Sequence, residues 1–283
     1  MKIIKYFFEF IFVSFLLIVF KLIGYKNASN FGNFLGQLIG PIFRSKSKIL
    51  KNLEDSNIKN DKEKIINKMW GNYGRILAEY VYLKQFKNGK FSKYINIEGL
   101  ENLEEIKQKN KKVVFVSGHF NNFELMAMQL ENFGIDLAAV YRPLNNIFLN
   151  FIMEKIRIKN ICKNQIKKGR AGSRRLIEFF KENYSIALMI DQRVSESEKI
   201  NFFERPAYTT TIPAQLVKKY NCEIVPVYIT RKNGIYFDMQ IYKPIQFDKE
   251  DSIIDISEKL NRVLENMILK DPSQWIWSHD RWK

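Results

Sequence analysis

Val113-Val114-Phe115-Val116-Ser117-Gly118-His119-Phe120-Asn121-Asn122-Phe123-Glu124 is the stretch on which the fold turns. Four consecutive apolar residues, three of them β-branched, read as a strand buried on both faces of a parallel sheet. Ser117-Gly118 ends the strand. Leu125, Met126, Met128 and Leu130 then set a helical pattern that runs to Gly134, a good C-terminal stop. His119 therefore lies at the carboxyl end of a strand, just before a helix. Open α/β sheets bind their ligands there.

A carboxylate, Glu124, follows five residues later. Neutral imidazole is a good general base near pH 7. A carboxylate bonded to its other nitrogen selects the tautomer and stabilises the imidazolium that forms. On one continuous helix, residues five apart point about 140° away from each other. The pair can meet only with His119 in the turn and Glu124 in the first helical turn, which the strand-turn-helix reading allows. His119 and Glu124 are the expected catalytic pair. A hydrogen-bonded loop histidine is the bland alternative.

Working outward, strand and helix patterns alternate. Strands are expected at 113–116, 137–141, 186–190, 224–229 and 235–241. Helices are expected at 123–133, 148–158, 173–182, 213–220 and 253–269, and an earlier one at 62–83. That order predicts an α/β fold with a mostly parallel central sheet flanked by helices, and an antiparallel pair at its end. Asn233-Gly234 is the hairpin signal for that pair. His119, Arg142 and Asp191 each follow an apolar strand, which points them toward one cleft. Arg142 is a candidate for gripping a phosphate or carboxylate through two parallel hydrogen bonds. Asp191 could instead pair with a basic residue or hold a loop.

Two histidines, and two cysteines (Cys162 and Cys222) far apart in sequence, argue against a zinc site and suggest structural thiols in a reducing compartment. No metal or other cofactor is expected. The 283 residues carry a formal net charge of +16, which calls for acidic partners: anionic lipid, a phosphorylated substrate, an acidic protein or nucleic acid. No nucleic-acid motif accompanies the charge. Residues 155–175 hold nine Lys and Arg and no acid, a basic face beside the cleft. Residues 10–20 are uncharged, and the apolar segment 3–23 is long enough to cross a hydrocarbon core. No small-x-small cleavage site follows it, so residues 1–24 read as an uncleaved membrane anchor and 25–283 as a single catalytic domain. A second apolar run, 31–43, precedes Arg44, Lys46, Lys48 and Lys51. It reads equally as an interfacial helix on anionic lipid or as a core helix with a charged end. His279 sits in an aromatic, basic tail and is assigned no catalysis.

His119-x4-Glu124 resembles the His-x4-Asp/Glu signature of the glycerolipid acyltransferase superfamily. The fuller string G-H-F-N-N-F-E resembles the late acyltransferases of lipid A biosynthesis, the lauroyl/myristoyl transferase family, whose usual string is G-H-x-G-N-W-E. Asn121 stands for the usual Gly and Phe123 for the usual Trp. The resemblance continues, in the family's order, through Tyr141-Arg142-Pro143, Asp191-Gln192, Phe202-Phe203-Glu204-Arg205-Pro206-Ala207, Thr209-Thr210 and the closing Trp275-Ile276-Trp277-Ser278-His279-Asp280-Arg281-Trp282-Lys283. Glu204 stands where the family commonly has Gly.

The resemblance implies a glycerolipid-acyltransferase-like fold and O-acyl transfer from an acyl carrier protein thioester to a phosphorylated lipid A precursor. It also implies an inner-membrane enzyme whose catalytic domain faces the cytoplasm. Arg142, Asp191, Arg170 and Arg205 are the substrate-binding candidates. No Gly-x-Ser-x-Gly elbow is present, so no acyl-serine intermediate is expected. The alternatives are an acyltransferase acting on another glycolipid or a lysophospholipid, and a non-enzymatic basic protein that binds membrane.

Overall fold

The computed structural model describes residues 2–194 and 197–282. Lys283 of the closing string lies outside the described residues. The chain opens with four helices: α1 (Lys2–Leu22), α2 (Tyr25–Phe43), α3 (Lys46–Asp55) and α4 (Lys62–Glu79). Gly24, at φ +80°, turns the chain between the first two. Among the described residues only α1 is long and apolar enough to cross a membrane.

The second apolar run lies within α2, one side of which is packed in the protein. Gly32, Gly36 and Gly40 line one face, and α4 packs into it. A Cβ on Gly36 would lie 2.2 Å from the Trp70 carbonyl oxygen, and one on Gly74 1.8 Å from that of Gly32. Only glycine allows this approach. The other side of α2 leaves Phe34, Leu38, Ile42 and Phe43 exposed.

The helix expected at 62–83 ends at Glu79. A 3-10 turn (Tyr80–Tyr82) and the short α5 (Leu83–Lys87) carry the chain to β1 (Ile95–Glu98) and α6 (Leu100–Gln108). Then come β2 (Val114–Ser117), α7 (Glu124–Asn132), β3 (Leu137–Tyr141), α8 (Ile147–Asn160), β4 (Asn164–Lys167), α9 (Arg170–Lys181) and β5 (Ser185–Met189). A small hairpin, β6 (Lys199–Phe202) and β7 (Arg205–Tyr208), precedes α10 (Ile212–Tyr220), β8 (Ile224–Lys232), β9 (Tyr236–Ile241) and α11 (Ile253–Lys270).

Seven strands form the central sheet in the order β1-β9-β8-β2-β5-β3-β4. Only β8 and β9 pair antiparallel, as the Asn233-Gly234 turn requires. The fold is thus the expected mostly parallel sheet flanked by helices. Strand β2 is buried on both faces. Val114 and Val116 belong to one apolar cluster and Phe115 to the other. That is the environment a continuous apolar run specifies.

Strands β1, β4, β6 and β7 were not anticipated. β1 and β4 are four-residue edge strands of mixed polarity, Ile-Asn-Ile-Glu and Asn-Gln-Ile-Lys. Both are recruited by a neighbour's backbone rather than by an apolar run of their own.

For the site, what matters is register. Val116 lies opposite Leu188 and Ser117 opposite Met189. Two residues past each strand end, His119 and Asp191 face each other at the carboxyl edge of the sheet. Strand β3 lies on the other side of β5 and delivers Arg142 to the same edge.

Candidate active site

His119 sits in the turn between β2 and α7. Its ring Nδ1 is 2.7 Å from Asp191 Oδ1. Its backbone N–H donates to Asp191 Oδ2 at 2.8 Å, and Trp275 Nε1–H donates to the same oxygen at 2.9 Å. Asp191 is completely buried. Burial pushes its carboxyl up, but the His119 charge and the hydrogen bonds from His119 and Trp275 outweigh burial and hold it at about 2. An ionised Asp191 takes the proton on Nδ1 as its hydrogen-bond donor. The other ring nitrogen, Nε2, is then an acceptor, and the Gln192 side-chain amide lies 3.3 Å from it. The ring stands edge-on to Phe123, centroids 4.6 Å apart. This is the constellation of a histidine base oriented by a buried carboxylate.

Among the described residues Glu124 makes no hydrogen bond to His119. It opens α7, and its Oε1 takes Arg157 Nε–H at 3.0 Å, Arg157 Nη2–H at 2.7 Å and the Tyr80 hydroxyl. The hydrogen bonds differ from the expected pairing: the sheet register supplies Asp191 to the imidazole, while α8 and the 3-10 turn supply partners to Glu124. Burial works against the Arg157 charge, and Glu124 and Tyr80 more than restore it.

A pocket of about 450 Å³ opens beside His119. Met126, Ala127, Ala139, Ala187 and Leu188 supply apolar wall. His119, Glu124, Arg157 and Gln192 supply polar groups, and Arg142 and Lys168 also line it. Burial and then the nearby Arg142 charge lower the Lys168 pKa. Two cations that repel each other at one pocket favour an anion between them.

The remaining candidates fall elsewhere. Asp191 is completely buried and is not among the pocket residues; it bonds His119, which is. Arg170 is exposed at the start of α9 and is not among the pocket residues. Arg205 pairs with Asp55 at 3.0 Å and covers the Trp282 ring at 4.6 Å, away from the pocket. Of the basic stretch, Arg157 and Lys168 reach the pocket, while Lys167 pairs with Glu154 at 3.0 Å.

The chain matches the model of the bacterial lipid A biosynthesis acyltransferases over residues 1–283. It belongs to that family. It is 24% identical over 262 residues to the lipid A biosynthesis palmitoleoyltransferase of Escherichia coli, covering 89% of this chain and 83% of that one. It is 26% identical over 231 residues to the lipid A biosynthesis acyltransferase of Haemophilus influenzae, covering 79% and 72%. Among solved structures, the 1-acyl-sn-glycerophosphate acyltransferase of Thermotoga maritima covers 89% of this chain at a TM-score of 0.43 and 14% identity, with all of that chain aligned. By its family the protein is an acyltransferase of lipid A biosynthesis.

Two departures from the family strings acquire a backbone reason. Asn121 has φ +43°, the left-handed conformation where Asn is the best substitute for Gly. Its N–H donates to the Gln274 carbonyl at 3.2 Å, and its side chain also bonds Gln274. Glu204 has φ +57° and Phe203 φ +51°, together the two-residue turn of the β6–β7 hairpin. The closing string of this acyltransferase is internal packing. Trp275, Trp277 and Arg281 are completely buried. Arg281 donates to Thr209 and Asn261 and covers the Phe202 ring at 4.0 Å. Burial lowers its pKa to about 10. His279 accepts the Arg193 N–H at 2.8 Å and is lowered by burial, consistent with a neutral structural role.

Sequence reasoning missed Arg157, Tyr80 and Trp275 as partners of the two carboxylates. Arg157 was one of nine charges in a basic stretch, and Tyr80 carried no local signal at all.

Proposed function

We propose that this acyltransferase moves a fatty acyl group from an acyl carrier protein thioester to a hydroxyl of a phosphorylated lipid A precursor, at the cytoplasmic face of the inner membrane. The observation that carries the reading is the His119–Asp191 pair with its Nε2 available beside an apolar pocket. Nε2 takes the acceptor hydroxyl proton as that oxygen attacks the thioester carbon. Asp191 holds the ring and stabilises the imidazolium. Collapse of the tetrahedral intermediate breaks the carbon–sulfur bond, and the imidazolium returns its proton to the departing thiolate.

Arg157, fixed by Glu124 in the pocket wall, is read as the cation that stabilises the oxyanion. Glu124 is thus read as a residue that positions Arg157 in the catalytic wall. The apolar wall formed by Met126, Ala127, Ala139 and Leu188 suits a fatty chain. Arg142 and Lys168 suit an acceptor phosphate. The apolar α1 and the net charge support attachment to anionic membrane.

The purified full-length enzyme should be assayed with acyl carrier thioester, with acyl coenzyme A and with a phosphorylated lipid A precursor. Transfer from the carrier thioester, lost without the phosphorylated acceptor, is the expected result. Transfer from coenzyme A alone would overturn the donor. Transfer only to a lysophospholipid would overturn the acceptor. Unchanged lipid A masses in cells lacking the gene would count against the reaction as a whole.

A further inference from the structure

Helix α8 is apolar yet keeps one side exposed. Eight of its fourteen residues are Ile, Phe, Leu or Met, and none of the fourteen is fully buried. Ile147, Phe151 and Ile158 are 57%, 60% and 51% exposed. Their spacings of four and seven put them on one stripe. An exposed apolar stripe marks a contact with something that is not water. Lys155 lies in the same stripe, its ammonium 4.0 Å from the Phe151 ring centroid, and Lys159 follows, exposed.

Two further observations identify what covers the stripe. First, α8 is joined to α1. Asn146 caps α8 by accepting from Phe148 and Leu149 N–H, and its amide donates to the Tyr6 carbonyl and to Glu9 Oε2. The Phe148 ring packs against Phe7 and Phe10. Phe7 is itself 47% exposed, so the apolar surfaces of the two helices adjoin there. Glu9, the one acid in α1, is thereby engaged by α8. Second, α8 is a wall of the active site. The loop from Arg142 to Asn145 lines the pocket and leads into α8, and Arg157 on α8 holds Glu124.

We propose that the Ile147–Phe151–Ile158 stripe is a second membrane contact, seated in an anionic bilayer so that the pocket mouth opens at headgroup level. Lys155 and Lys159 then meet lipid phosphates while their stems lie along apolar surface. The proposal rests on the reading above that the acceptor is a membrane lipid. It adds that the acceptor reaches His119 without leaving the bilayer. An acidic carrier protein would seek the lysines but gives no reason for the exposed Ile and Phe between them.

Cys162 and Cys222 are buried, so a thiol introduced by Phe151→Cys in the full chain can carry an environment-sensitive fluorophore. With vesicles of phosphatidylglycerol and phosphatidylethanolamine, its emission should shift to the blue and be quenched by brominated acyl chains. The same label at Glu250→Cys, in the loop before α11, should respond to neither. No shift at residue 151 on vesicle-bound protein overturns the proposal. So does a shift produced by carrier protein without vesicles.

The variant Ile147→Asp/Phe151→Asp tests the consequence. Its KM for acceptor embedded in vesicles should rise about tenfold, with kcat on detergent-dispersed acceptor unchanged. Equal KM values for variant and wild type on vesicles would overturn the headgroup-level mouth. If no lipid A precursor is acylated in any format, the functional reading fails, while the fluorescence still reports the membrane contact.

Discussion

Asp191 and Glu124 are two buried carboxylates close to the same histidine, and they do different work. Glu124 is five residues from His119 in the chain; Asp191 is seventy-two residues away, yet it is Asp191 that bonds the ring at 2.7 Å. Glu124 bonds a guanidinium and a phenol instead. The difference teaches that a short motif can bring two residues into one pocket without making them partners. The imidazole is served by the strand next door, because two parallel strands in register deliver their following residues to the same height. Glu124 opens a helix, and its side chain meets whatever packs on that helix.

The comparison breaks most easily at the histidine pair. His119→Ala should lower kcat by about 10³-fold with the fold intact, the usual worth of a positioned base. Asp191→Asn should lower it by a similar factor by favouring the wrong tautomer. Because the two act as a unit, the double variant should be little worse than His119→Ala alone. Additive losses in single-turnover assays would show that Asp191 acts independently of the ring.

Glu124→Gln should also lower kcat, but its pH–rate profile should keep the wild-type shape, whereas any residual activity of Asp191→Asn should titrate at a shifted pH. The same substitution leaves Arg157 buried without its counter-charge, so denaturant unfolding should register a loss of about 3 kcal/mol. A shifted pH profile for Glu124→Gln would restore it as the partner of His119.

Acid tests Asp191 directly. Asp191 is held at about 2, below the ordinary 3.8 of an aspartate. The stability it contributes is therefore present above about pH 4 and lost as pH falls toward 2, amounting to about 2 kcal/mol. Unfolding measured between pH 5 and pH 2.5 should be steeper for the wild type than for Asp191→Asn. Parallel curves would mean that the low pKa is absent.

At the anion end of the pocket the effects should be smaller and different in kind. Neutralising Lys168 in the pocket together with Lys163 and Lys167 outside it should raise the KM and flatten its dependence on salt, which screens surface charge over about 8 Å at physiological strength. Arg142→Lys keeps the charge and loses the bidentate geometry, so it should impair turnover even at low salt. Wild-type behaviour of both variants would remove the phosphate from this end of the pocket. The smallest expected effect is at the β6–β7 turn, where Glu204→Gly should stabilise by up to about 1 kcal/mol by relieving a left-handed backbone. An unchanged Tm would show that the Phe203–Glu204 turn is unstrained.

Much of this was legible in the residues alone. The run from Val113 to Val116 announced a strand buried on both faces, because only a central parallel strand wants apolar side chains on both. His119, Arg142 and Asp191 announced a shared edge, because each follows such a run. Asn233-Gly234 announced the antiparallel pair through its turn chemistry, and the ordered strings from Gly118 to Trp282 announced the family. The edge strands β1 and β4 were silent, since a short polar segment pairs only when a neighbour offers its backbone. Local pattern thus determined the architecture, the histidine proposed as the base and the chemical class. Which carboxylate meets His119, which arginine meets Glu124, that Arg205 pairs with Asp55 and that Arg281 bonds Thr209 and Asn261 were decided by strand order and helix docking. Those are contacts between residues far apart in the chain, and no local periodicity encodes them.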